Sequence, residues 1–468
     1  MRLRFAIAVA LPLGSLLTGC PLTDHYRLQG DPLGAAGADL GGYPSSTAGA
    51  GAGAVDAAGS AGVADAGEPA SYGGSSLSAG GSGGQAETAG GTGGGTGCSQ
   101  ACNAPRSCIA NRCSSGWVGM VSPPSLLVAR SKAASVAMGK AVFVWGGLDN
   151  DGAALDDGAI YDPTTDTWKY LPRDEGHPSA RIMATAVWTG AASNKVIVFG
   201  GTDASGATVY RDGAVYDVTG NSWTALPTSS SISKRSAAYG YWDGTRAVFY
   251  GGLSGAASVG GADRFDLKTW SSSTTSGDPG LLGFAAIGFD GSVIYLQGGV
   301  IGSTRQDKVF AYTSSTDKWA TLSQSLSART GAFGAWDGTH FLVWGGQDDN
   351  GLLNDGKAMS GMTWSDMTAT SVLSARRIAF RRSGWAFQVK PGVIAMIGGQ
   401  TSTSGSSEAL AIDGAAYANQ SGEWTAIAAW PSLETHEYGI GVWTGEEFVL
   451  WGGRAQNVST LIGERWAP

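Results

Sequence analysis

Few side chains in this sequence could carry chemistry. Its five cysteines all lie at or before Cys113, so no thiol nucleophile and no thiolate metal site can form beyond that point. Four of them, Cys98, Cys102, Cys108 and Cys113, follow the spacing C-x3-C-x5-C-x4-C. They can close two disulfides in any of three pairings, or hold one zinc ion, and the redox compartment decides between the two. Beyond Cys113 the only histidines are His177, His340 and His436. Asp149-Asn150-Asp151-Gly152 and Asp348-Asp349-Asn350-Gly351 begin like calcium loops. The bidentate acid that such a loop needs at its twelfth position is missing, since Tyr161 and Met359 stand near it, and solvated turns are expected. A basic set recurs at long spacing: Arg130, Arg181, Arg235, Arg329 and His436, with either Arg376 or Arg382, broken once by Leu281-Leu282-Gly283. Such a set could present guanidinium groups to an acidic ligand, or each could pair with a loop carboxylate of its own or a neighbouring repeat.

A repeat positions these residues. Val142-Phe143-Val144-Trp145-Gly146-Gly147 is an apolar run of strand length that stops on two glycines. The phrase returns with its first glycine at 200, 251, 298, 345, 398 and 452, giving steps of 54, 51, 47, 47, 53 and 54. A period near fifty marks an array of supersecondary units. Turn signals such as Trp242-Asp243-Gly244, Phe289-Asp290-Gly291 and Trp336-Asp337-Gly338 sit between two strand-like runs. After the glycines, another run ends on Tyr161, Tyr216, Phe265, Tyr312, Met359 or Tyr417. A short turn then leads to Trp168, Trp223, Trp270, Trp319, Trp364 or Trp424.

Four strands, a double glycine, an aromatic and then a tryptophan resemble the kelch repeat, over Trp117 to Pro468. The resemblance implies an all-β, seven-bladed kelch-type β-propeller, with the recurrent aromatics packed between blades rather than around a cofactor. The last copy stops at Trp466, which stands 14 residues after Gly452 as Phe265 does after Gly251, so the fourth strand is missing. Trp117 lies 13 residues before Arg130, as Trp168 does before Arg181, and is expected to supply it. Pairing the two ends would remove the open sheet edges that invite aggregation. In the kelch family, arginines at the start of the first strand face the binding side, which nominates Arg130, Arg181, Arg235, Arg329 and His436 as a ligand-binding face. Galactose oxidase is also a kelch propeller, but its copper radical needs a Cys–Tyr crosslink, for which the repeat region has no cysteine. No catalytic residue, metal or cofactor is therefore assigned.

The N-terminus carries an address. Arg2 and Arg4 precede an apolar stretch from Phe5 to Leu17, too short to span a bilayer, which reads as a signal peptide over residues 1–19. Leu17-Thr18-Gly19-Cys20 resembles the lipobox of bacterial lipoproteins, which implies lipidation of Cys20; the alternative is ordinary cleavage near Gly19. Pro21 after the cysteine, by the same resemblance, points to the outer membrane. Residues 20–97 read as a disordered tether: from Gly30 to Gly97, 23 of 68 residues are glycine, and large apolar residues are almost absent. Export favours disulfides at Cys98, Cys102, Cys108 and Cys113, within a small module over residues 98–115, and the arrangement resembles that of myxobacterial surface lipoproteins. The domain beyond it spans 116–468. A formal charge of −8 with no basic stripe argues against a nucleic-acid partner. The expected protein is a monomeric, lipid-anchored binding or adhesion module for a protein or glycan ligand, with an enzyme acting on cell-surface carbohydrate as the alternative.

Overall fold

Runs such as Val142-Phe143-Val144-Trp145 are buried throughout, because each sheet is covered on both faces by its neighbours and has no solvent side to alternate with. The computed structural model describes residues 107–109, 112–114 and 116–468, apart from 256, 275, 281, 302–303, 323–325, 369, 377–383, 402–409, 433–434 and 456–457. The expected signal peptide and tether, with Cys20, Cys98 and Cys102, lie outside the described residues. Ser107–Ile109 pairs antiparallel with Arg112–Ser114, in a register that sets Cys108 opposite Cys113.

Seven four-stranded antiparallel sheets follow, and the described residues contain no helix. Blade one is built from Ala134–Met138, Ala141–Trp145, Gly158–Asp162 and Thr167–Tyr170, in that order from the axis outwards. Blades two to six repeat it over 185–225, 239–272, 286–322, 333–366 and 384–427. Blade seven takes Ile440–Trp443, Phe448–Trp451 and Gly463–Ala467 from the C-terminal end and its outer strand, Gly116–Gly119, from the other. Trp117 stands directly opposite Trp466, so both ends of the ring meet in one sheet.

Three devices hold the blades. The aromatic ending the third strand faces the tryptophan of the fourth across the ladder, as in Tyr161–Trp168, with ring centroids 4.8 Å apart, and Tyr417–Trp424, also at 4.8 Å. In five blades the indole N–H then crosses to the preceding blade, whereas that of Trp319 has no hydrogen-bond partner among the described residues. Trp117 donates to Ala428 O at 2.8 Å, Trp223 to Pro172 O at 3.0 Å, Trp270 to Pro227 O at 3.0 Å and Trp424 to Thr368 O at 2.9 Å. The acceptor is always the residue four places beyond the previous blade's tryptophan. In five blades the second glycine of the pair supplies the other link: Gly147 N–H donates to Arg181 O at 3.0 Å and Gly201 N–H to Arg235 O at 2.9 Å. No side chain fits at either glycine of the pair, since a Cβ on Gly200 would lie 2.2 Å from Arg235 O and one on Gly201 2.6 Å from Ile182 O.

The third device sits where the inner strands begin. Lys132, Met183, Ala237, Phe284 and Tyr438 all hold φ between 50° and 58°, a region that residues other than glycine seldom use. Each occupies the same place in its blade. Lys132 N–H donates to Tyr438 O at 3.0 Å, Met183 to Lys132 O at 2.9 Å, Ala237 to Met183 O at 2.9 Å and Gly331 to Phe284 O at 3.1 Å. These bonds run between consecutive blades around the axis and hold the strained backbone in place.

Candidate functional site

The arginines nominated for ligand binding are interior groups. Arg130, Arg181, Arg235 and Arg329 are each 1% exposed and His436 is 0% exposed. Arg130 donates from Nη1 to Gly146 O at 3.1 Å and to Asp157 Oδ1 at 2.8 Å, from Nη2 to Asp157 Oδ2 at 3.2 Å, and from Nε to Val128 O at 3.1 Å. Arg181 repeats this with Gly200 and Asp212, Arg329 with Gly345 and Asp355, and Arg376 with Gly398 and Asp413. Arg376 is thus the member of its pair that takes the position, while Arg382 lies outside the described residues. The fork of each guanidinium is used by its own blade, which corrects the expectation of a basic ligand face. Burial lowers the pKa of Arg376, and the neighbouring Asp413 opposes that shift.

Two blades depart from the pattern by the same move. The first glycine's N–H marks the loop position before the third strand. It reaches Asp157, Asp212, Asp355 and Asp413 in four blades, but Gly261, Lys308 and Ile462 in blades three, four and seven. In blade three the carboxylate moves two residues on, to Asp263, which meets Arg235 Nη2 at 2.6 Å. In blade seven it moves the same distance, to Glu464, and the arginine becomes His436. His436 Nδ1 donates to Gly452 O at 2.7 Å, and Nε2 lies 3.5 Å from Glu464 Oε2. Blade four has Leu282 and Lys308 instead and forms no such pair.

The other sequence candidates are turns and links. Asp149 Oδ1 accepts the N–H of Asp151 at 3.0 Å and of Ala153 at 2.8 Å; Asp348 Oδ1 accepts that of Asn350 at 2.7 Å. Asn150 exchanges hydrogen bonds with Ser459 of blade seven, and Arg305 pairs with Asp349. His177 accompanies Asp156, and His340 accompanies Asp337. Among the described residues, no group of three His, Cys, Asp or Glu side chains is arranged to hold a metal. Around the axis, Lys132, Met183, Phe284 and Tyr438 are buried, with Lys132 Nζ 5.1 Å from the centre of the Tyr438 ring.

The shift in blade seven builds a different surface. With Ile462 where four blades carry aspartate, the loop end is aliphatic, and beside it opens a cavity of about 430 Å³. Met120, Pro431, Leu461 and Ile462 supply apolar wall, and Ser122, Ser432 and Glu464 the polar part. The lip is fixed by backbone. Met120 N–H continues the outer ladder to Gly463 O at 2.9 Å, and Trp451 Nε1 donates to Leu461 O at 3.1 Å. Gly463 must be small, because a Cβ there would lie 2.6 Å from Trp451 Cδ1. Burial would push the Glu464 carboxyl up. The His436 side chain and Ser432 outweigh that and hold it below the usual carboxylate range, and Ser432 N–H meets Oε1 at 2.7 Å.

On the cavity wall Leu461 (39% exposed) and Ile462 (37%) are exposed large hydrophobics, and the chain segments that run on from the wall carry four more, Val121, Leu126 (74%), Val128 and Val458 (60%). Stretches 119–129, 428–432 and 458–463 contain no charged residue. Sequence reasoning missed this surface because it joins segments more than 300 residues apart. Its one local signal is the uncharged run Val121-Ser122-Pro123-Pro124-Ser125-Leu126-Leu127-Val128, where a connection would normally be polar.

Residues 132–327, which are blades one to four, match a family model described as the KLHDC2/KLHL20/DRC7 Kelch-repeats domain. No curated protein matches the chain.

Proposed function

We propose that this seven-bladed propeller, with its likeness to kelch repeats, is a non-enzymatic binding module that takes a protein or glycan ligand at the surface of blade seven. The observation that carries this is the uncharged aliphatic lip around a cavity, exposed on a protein with a formal charge of −8. Concave apolar walls with a few polar groups are what ligand sites use, and exposed aliphatic side chains on such a wall favour an interaction site. The arginines offer no such surface, since their side chains are buried and their guanidinium forks pair within the blades.

The proposed setting is the cell envelope. Cys20 carries the lipid, residues 20–97 act as a tether with a reach on the order of 45 Å, and the module over 98–115 is disulfide-bonded. The propeller acts as a monomer and needs no cofactor. Probing glycan and peptide arrays with the full-length protein tests the function. Saturable binding of one ligand class, lost in Leu461→Asp, is expected. Absence of binding to either array, or ligand turnover, would sink it.

A further inference from the structure

Building on the binding module proposed above, we infer that the surface of blade seven takes an extended polypeptide segment with aliphatic side chains, without acidic residues, which adds to the outer edge of Gly116–Gly119. Three observations converge. Gly116–Gly119 is the last strand of its sheet, paired only on its Gly463–Ala467 side among the described residues, so its other edge carries backbone donors and acceptors in strand register. An added strand is bound through its main chain and selected through pockets for alternate side chains.

The second observation is where the cavity lies. Its wall begins at Gly119 and Met120, where that edge ends, so a strand laid along the edge leads a side chain towards Leu461 and Ile462. The walls are aliphatic. The tryptophans beside it, Trp430 and Trp451, are each 1% exposed and offer no platform on which a sugar ring could stack.

The third is charge. Glu464 is the only formal charge on the cavity wall; its Oε1 accepts from Ser432 N–H at 2.7 Å and its Oε2 faces His436 Nε2 at 3.5 Å. A buried anion disfavours an acidic occupant and favours a neutral or basic one, because the interaction is screened far less there than in water. Loops 119–129 and 458–463 hold no lysine or arginine. A surface that lies on lipid usually sets such residues among the headgroups, so a protein segment fits better than a membrane.

The test uses end-blocked synthetic hexapeptides of alternating valine and threonine: one neutral, one with a central lysine, one with a central glutamate and one N-methylated along the backbone edge. Anisotropy with the full-length protein should rank lysine first, then neutral, with the glutamate version at least tenfold weaker. Leu461→Asp and Ile462→Asp, each at an exposed position, should weaken binding tenfold or more, and N-methylation should abolish it. Equal binding of the glutamate or N-methylated peptide, or indifference to Leu461→Asp, overturns the proposal. So does Leu461-dependent binding of phosphatidylcholine vesicles, or Leu461-dependent self-association. If a glycan array is positive while these peptides fail, the peptide assignment falls and the binding module stands; if neither class binds, both fall.

Discussion

The amide of Gly453 donates to the carbonyl of Arg130 at 2.8 Å. That bond joins the last blade to the first. The guanidinium of the same Arg130 grips Gly146 and Asp157 within blade one. A single residue therefore ties its own blade with its side chain and its neighbour with its backbone. The pattern recurs at Arg181, Arg235, Arg329 and Arg376.

The first prediction concerns close approach. Gly190 and Gly200 share a positive φ, 81° and 71°, but only Gly200 faces a carbonyl, with 2.2 Å between a notional Cβ and Arg235 O. Gly190→Ala should cost only the conformational strain, about 1–2 kcal/mol. Gly200→Ala should cost clearly more, because the backbone of blade three must move. Urea midpoints compare the two; equal losses would refute the contact.

A second test addresses the buried pair of blade three. Arg235 and Asp263 have side chains only 1% and 3% exposed. Asp263→Ala leaves the guanidinium buried and uncompensated, at a cost of about 3–5 kcal/mol. Combining Arg235→Met with Asp263→Leu should recover most of that loss. If the double variant is less stable than Asp263→Ala, the pair is more than mutual compensation.

Ring closure is tested at Trp117. Its indole bonds Ala428 O, and its ring lies 5.7 Å from that of Trp430 and 6.1 Å from that of Phe448. Trp117→Ala should destabilise by about 3 kcal/mol and promote aggregation through the loosened edge. Light scattering during thermal melts reads both effects. A variant that melts like the parent would mean that this strand adds nothing to the ring.

Acid should act on blade seven through Glu464. Its folded pKa lies below the usual value of about 4.5, so its contribution is present above that pH and fades as the pH falls through the folded value. Melting temperature should therefore drop more steeply from pH 5 to pH 3 in the parent than in Glu464→Gln. Parallel curves would remove Glu464 from the acid response.

Anchoring is tested at Cys20. The stretch Leu17-Thr18-Gly19-Cys20 motivates the expectation that Cys20→Ala shifts the protein from the membrane fraction to the soluble one. Retention in the membrane fraction would exclude the lipid at this residue.

The number of blades was legible because the double glycine answers a backbone demand: at Gly146, Gly200, Gly298, Gly345 and Gly452 a carbonyl of the next blade occupies the space of a Cβ. The tryptophans were legible for a related reason, as only a flat side chain with one N–H both fills the gap between blades and reaches the carbonyl across it. The arginines were legible in position but not in direction, since spacing does not say whether a side chain turns to solvent or beneath a loop. A clue lay in their partners. Recurring arginines accompany recurring Asp-Gly pairs, and in the fourth repeat both vanish, leaving Leu282 and Lys308. The cavity left almost no trace, because its walls come from opposite ends of the chain and from substitutions that break the period.

Outer strand Gly116–Gly119 is also the first part of the propeller that a mechanical load along the preceding chain would reach. Tension applied at Gly116 meets its pairing with Ala467 first, then Trp117 with Trp466, then Val118 with Arg465. The ladder would peel one rung at a time rather than resist in shear, with Trp117 as the peg one residue in. A pull strong enough to draw that peg would strip the edge on which an added strand is proposed to bind, so that ligand capture and tension on the chain would oppose each other.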